Sequence, residues 1–115
     1  MASGHIDLSY LERLYKGDRS RMEHWVRIYL EDVPALLSQL EDRVQEDNAL
    51  GLAAIAHDLR PLAHYLGAQH MLDLLMRVGH DARTYGAAAC AGTVAEVVAQ
   101  GGAVEEELRA TFGLG

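Results

Sequence analysis

From Met22 to Val44 apolar side chains return every third or fourth residue, through Trp25, Val26, Tyr29, Leu30, Val33, Leu36, Leu37 and Leu40. That is the period of one face of an α-helix, not the alternation of a strand. The pattern recurs three times. Leu50, Leu52, Ile55, Leu59, Leu62 and Leu66 mark a helix stopped by Gly67; Met71, Leu72, Leu74, Leu75, Val78 and Ala82 mark one ending near Tyr85-Gly86; Val94, Val97, Val98, Val104 and Leu108 mark the last. A short helix, Leu8 to Tyr15, leads them, with Asp7 and Ser9 as candidate caps and Ser9 with Glu12 in the form of a capping box. Gly17-Asp18 and Asp47-Asn48 supply stops and new caps. Pro34 is expected to divide the long helix into two coaxial or gently bent pieces, and Gly101-Gly102 to bend or break the last one. No strand is expected. The short Asp47-Asn48 connection makes its flanking helices antiparallel neighbours. The expected fold is all-α: an antiparallel four-helix bundle with a short additional N-terminal helix, one domain over 1–115 with its core at about 7–112. Ile55, Leu59, Leu62 and Leu66 are expected to pack against Leu36, Leu37, Leu40 and Val44.

Charge narrows the function. Ten Lys+Arg against 17 Asp+Glu give a net charge of -7, which excludes a general binder of the nucleic-acid backbone, since that needs a basic face. No apolar run reaches the ~20 residues of a membrane span, and Met-Ala-Ser-Gly-His lacks the basic and apolar regions of a signal peptide. A cytoplasmic protein without a membrane partner is expected. The single cysteine, Cys90, allows no internal disulfide.

Six histidines raise the question of a metal. Ligands sharing an ion on one helix stand three or four positions apart, and His24, His57, His64 and His80 have no second ligand at those offsets. His57 and His64 are seven residues apart, ~10.5 Å along a helix axis. Only His70 with Asp73 has the spacing, and no third group accompanies them. No metal site is expected, and metal-assisted hydrolysis is disfavoured. The chain also has no Gly-rich phosphate loop and no Gly-x-Ser-x-Gly elbow.

At ~100° per residue, Leu52, Ile55, Leu59, Leu62 and Leu66 fall on one side of the third helix, while His57, Arg60, Pro61 and His64 share the opposite arc. Helical side chains lean toward the N-terminus, so the His57 imidazole lies over Ala53 and Ala54, which leave it uncovered. Outward polar residues are the rule on a helix, and this geometry alone does not distinguish a functional histidine from an ordinary wet face.

The segment Ala56-His57-Asp58-Leu59-Arg60-Pro61-Leu62-Ala63-His64-Tyr65-Leu66-Gly67-Ala68 resembles the signature of histidine-containing phosphotransfer domains, Ala-His-x-Leu-Lys-Gly followed by small residues and a Gly ten positions after the histidine. His57, Leu59 and Gly67 match; Arg60 replaces the usual lysine, Pro61 the usual glycine, and Leu62-Ala63 the common Ser or Ala pair. Helix order, length and the acidic helix with Pro34 after Glu31-Asp32 extend the resemblance over nearly the whole chain. The resemblance implies that His57 accepts a phosphoryl group from a receiver aspartyl phosphate and hands it to another receiver, with Arg60 stabilising the phosphoryl charge and Ala53, Pro61 and His64 facing the partner. It implies a monomeric carrier, not an enzyme, with no cofactor of its own; Mg²⁺ is expected on the receiver. The alternative is a helical adaptor of the same fold that docks a receiver or another signalling protein without carrying phosphate. No ATP-binding motif is present, so autophosphorylation is not expected.

Overall fold

Two of the five α-helices among the described residues begin at a residue whose side chain caps the first turn. A computed structural model of the protein describes residues 2–115. It contains β1 (Ala2–Ser3), β2 (Ile6–Asp7), α1 (Ser9–Leu14), α2 (Arg19–Gln45), α3 (Ala49–Tyr65), α4 (Gln69–Tyr85), a 3-10 turn (Ala88–Cys90) and α5 (Ala91–Phe112). Asp18 starts α2 by accepting the Arg21 amide at 3.2 Å, and Asn48 starts α3 by accepting the Gly51 amide at 2.8 Å, each occupying a donor the helix cannot use. The capping box expected at Ser9 is absent. Leu8 takes the cap position, and Asp7 Oδ1 accepts from both the amide and the hydroxyl of Ser9, at 3.0 and 2.6 Å. These bonds, the hydroxyl's foremost, hold the Asp7 carboxyl below its ordinary pKa.

Neither proline interrupts its helix. Pro34 lies inside α2 and Pro61 inside α3, so the expected division of the long helix does not occur. Both rings are exposed, while Leu30, Val33 and Leu37 around Pro34 are buried. The missing hydrogen bond lies on the wet side, where water can take the freed carbonyl, and burial of the other side holds the helix together. Gly101-Gly102 likewise leaves α5 unbroken. Gly101 is buried against α2, and a Cβ there would come within 2.5 Å of Leu37 Cδ1; the residue admits a close helix contact.

The core runs from Ile6 to Phe112 and includes Leu11, Val26, Leu40, Leu52, Leu59, Leu66, Leu75 and Leu108. Around it α2 packs on α3, α3 on α4, α4 on α5 and α5 on α2, while α1 lies against α2. Of the expected inward set, Leu59, Leu66, Leu37 and Leu40 are buried, whereas Ile55, Leu62, Leu36 and Val44 are half-buried at its margin. Leu50, in the first turn of α3, is 82% exposed despite its place in the periodic pattern. Two further differences concern the ends. Ala2–Ser3 pairs antiparallel with Ile6–Asp7 in a two-residue ladder that was not expected, and Asp7 N–H donates to the Leu66 carbonyl at 2.9 Å, tying the N-terminal segment to the α3–α4 turn. Gly67 makes that turn at φ +59°, where a Cβ would run into the Asp7 carbonyl oxygen; both backbone freedom and small size are required there. No described helix is long and apolar enough to cross a membrane.

Candidate functional site

α3 presents two chemically distinct faces. Leu52, Ala53, Ala56, Leu59 and Ala63 are buried, while His57, Pro61 and His64 are exposed and Arg60 is half-buried. The rotation of the helix therefore agrees with the apolar period, and the polar stripe faces solvent. Ala53 departs from expectation: it is 3% exposed and belongs to the core, so it cannot form part of a partner-facing surface. The exposed small residue one turn before His57 is Ala54.

His57 makes no hydrogen bond, ion pair or ring contact with any described residue, and neither does Arg60. Both ring nitrogens of His57 are thus uncommitted within the protein. Asp58 is exposed beside it in sequence but projects ~100° further round the helix. Arg60 stands three residues on, within one turn of His57 on the same side, its stem partly covered and its guanidinium unpaired. Pro61, four residues on, has no N–H to give the His57 carbonyl, so the backbone beneath the histidine carries one hydrogen bond fewer than a regular helix.

His64 lies on the same stripe in a different setting. Its ring is 5.0 Å from that of Tyr10 on α1 and 6.2 Å from that of Tyr65. Tyr10 stacks on Tyr65 at 5.5 Å, and Tyr65 meets the edge of Trp25 at 5.8 Å. Such offset and tilted pairs are favourable beyond the area they bury, so His64 is the outermost ring of a cluster that joins α1, α2 and α3. Sequence reasoning placed His64 on the stripe and missed Tyr10, because ring contact across helices leaves no trace in the spacing of either segment.

In the pair His70 and Asp73, the carboxylate turns to its own helix: Asp73 Oδ1 accepts from Gln69 Nε2 at 2.8 Å. Among the described residues no three His, Cys, Asp or Glu side chains gather as a metal site would require. Cys90 is buried, with its thiol against the Val78 and Gly86 carbonyls, and burial pushes its pKa up, the opposite of an activated thiolate.

Set beside known protein families, curated proteins and solved structures, the chain matches none of them.

Proposed function

We propose that the protein is a histidine phosphotransfer protein, a phosphoryl carrier between receiver domains, with His57 as phosphoacceptor on an antiparallel four-helix bundle formed by α2 to α5. The observation that carries this reading is a coincidence at His57: the residue at the histidine position of the phosphotransfer signature is also exposed, free of any side-chain partner and backed by a core-anchored helix. Exposure alone does not single it out, since His24 and His70 are exposed as well. The closed sequence of helix contacts, α2 to α3 to α4 to α5 and back to α2, supports the bundle, and the match of His57, Leu59 and Gly67 to the phosphotransfer signature supports the chemistry.

An unprotonated ring nitrogen of His57 attacks the phosphorus of a receiver aspartyl phosphate. The new P–N bond forms as the P–O bond to the aspartate breaks, the bonding electrons leave on the carboxylate oxygen, and the imidazole gives up its proton to water. The return step, to a second receiver's carboxylate, reverses each change and takes the proton back. Such transfers rest on in-line positioning and on charge around the equatorial oxygens. An exposed imidazole on a fixed helix supplies the first, and the Arg60 guanidinium supplies part of the second. This chain carries no cofactor in the scheme, and Mg²⁺ belongs to the receiver's acidic site. The protein acts as a monomeric carrier in the cytoplasm, without kinase chemistry of its own.

Incubation of the full chain with a panel of phosphorylated receivers tests the reading. Transfer of label that is lost in acid and retained in alkali marks a phosphoramidate and supports it. Binding of a receiver with no transfer of label would replace it by the adaptor reading.

A further inference from the structure

Two guanidinium groups stand on the α4 side of His57. Tyr65, ~80° round α3 from His57, meets Trp25 of α2, so that flank of the helix faces α2. Arg60, ~60° to the opposite side, lies on the flank toward α4. On α4 itself Leu72, Met76, Gly79 and Arg83 recur at helical spacing and share one edge. Leu72 lines a groove with Ala63 and His64 of α3, which puts that edge, Arg83 included, on the same side of the α3–α4 hairpin as the His57 stripe.

Arg83 also stands at the right level. Its Nη1 donates to the Gly79 carbonyl at 3.3 Å, so the guanidinium folds back along α4 to a point ~18 Å beyond Gly67. The His57 ring leans back over Ala53 and Ala54, ~20 Å before Gly67, and the two groups lie level on the hairpin. Gly79 makes the room: a Cβ there would have Arg83 Nη1 as its nearest neighbour, at 3.6 Å. Axes of packed helices lie ~8–10 Å apart, a gap that an arginine on one and a phosphorylated imidazole on the other close between them. Among the described residues no carboxylate pairs with Arg60 or Arg83. The nearest acids are directed elsewhere. Asp81 is turned to His80 Nδ1 at 3.1 Å and Asp73 to Gln69 Nε2 at 2.8 Å, while Asp58, ~100° round from His57, lies on the α2 flank.

We propose that Arg83 is a second phosphoryl-binding residue: from α4 it joins Arg60 in donating to the nonbridging oxygens of the group on His57. The assignment deepens the phosphotransfer reading and rests on it. The bonds made and broken at phosphorus are those of the transfer already described, and Arg83 neither gives nor takes a proton. Its contribution is positive charge where negative charge gathers as the phosphoryl group moves. In the unphosphorylated protein the guanidinium rests on Gly79 and leaves His57 bare.

Single-turnover transfer from a phosphorylated receiver, followed over a range of receiver concentrations, separates the maximal rate from the half-saturating concentration. Arg83→Ala is expected to lower the maximal rate about tenfold and to hold the half-saturating concentration within about twofold. Arg83→Lys keeps the charge and is expected to recover most of the loss. Arg77→Ala, which removes an exposed charge from another side of the same helix, is expected to behave as wild type. On the phosphorylated carrier the cation favours the dianion, so the phosphorus NMR resonance of the phosphohistidine is expected to titrate at a pH about 0.5 higher in Arg83→Ala. Arg83 is exposed, so its substitution leaves the core intact. If no receiver labels the wild type, the phosphotransfer reading falls and this assignment with it. If the wild type is labelled and Arg83→Ala changes neither the maximal rate nor the phosphorus titration, Arg83 alone is refuted. A loss in Arg77→Ala as large as in Arg83→Ala would reduce both to general surface charge and overturn the assignment.

Discussion

His57 and His64 share one helix, one face and one polar stripe, yet the two ends of that stripe are built differently. At His57 nothing crosses from a neighbouring element, and the ring has no partner. At His64 the short helix α1 brings Tyr10 across, and the ring becomes the outer member of a cluster reaching Trp25 on α2. The difference is a matter of cover. α1 is tied down at the C-terminal end of α3 through the Asp7 amide and Leu66 carbonyl, so it shields that end and leaves the other open. A bare imidazole and a ring-packed one therefore stand ~10.5 Å apart on one helix.

The comparison depends on a firm inner face, and the largest effect is expected there. Leu59 is fully buried two residues from His57; Leu59→Ala should cost about 2–5 kcal/mol, measured by denaturant unfolding. A loss below about 1 kcal/mol would mean the helix is not anchored under the histidine. Gly67→Ala should come next, at roughly 1–3 kcal/mol, since it combines a positive φ with a collision against Asp7. It should also release α1 and part the His64 ring from Tyr10, making the two ends of the stripe alike; weakened ring-current shifts of His64 in NMR spectra would report this. His57→Gln should change stability by less than about 0.5 kcal/mol, as for a surface residue with no partner.

The smallest effect concerns Asp7. Its carboxyl lies below the ordinary range because Ser9 bonds the charged form. A depressed carboxylate contributes stability above its unfolded pKa and loses it as pH falls through its folded one. Asp7→Asn should therefore flatten the acid limb of the stability profile below about pH 4 and leave the neutral region nearly unchanged, as thermal unfolding across that range would show.

Much of this arrangement was legible in the residues. The apolar period set the order of the helices and the rotation of α3, and so predicted that His57, Pro61 and His64 face outward. What period cannot convey is the cover supplied by other elements. Leu50 has the spacing of a core residue and lies in the open, while Ala53, assigned to the partner-facing surface, lies in the core. Gly101 reads as a break and serves as a contact, because the Leu37 side chain that needs its space comes from another helix. Pro34 reads as an interruption, yet it loses only one bond, on the exposed side of a helix buried on its other face. Tyr10 carries no local sign of its role. Its partners, His64 and Tyr65, are more than 50 positions away in the chain.

The central claim is that the open end of the stripe carries the phosphoryl group. Incubating wild type, His57→Gln and His64→Gln with a phosphorylated receiver, and reading acid-labile label on each, tests it directly. The account predicts label on the wild type and on His64→Gln and none on His57→Gln, although all three fold alike. Label retained by His57→Gln, or lost only in His64→Gln, would contradict it.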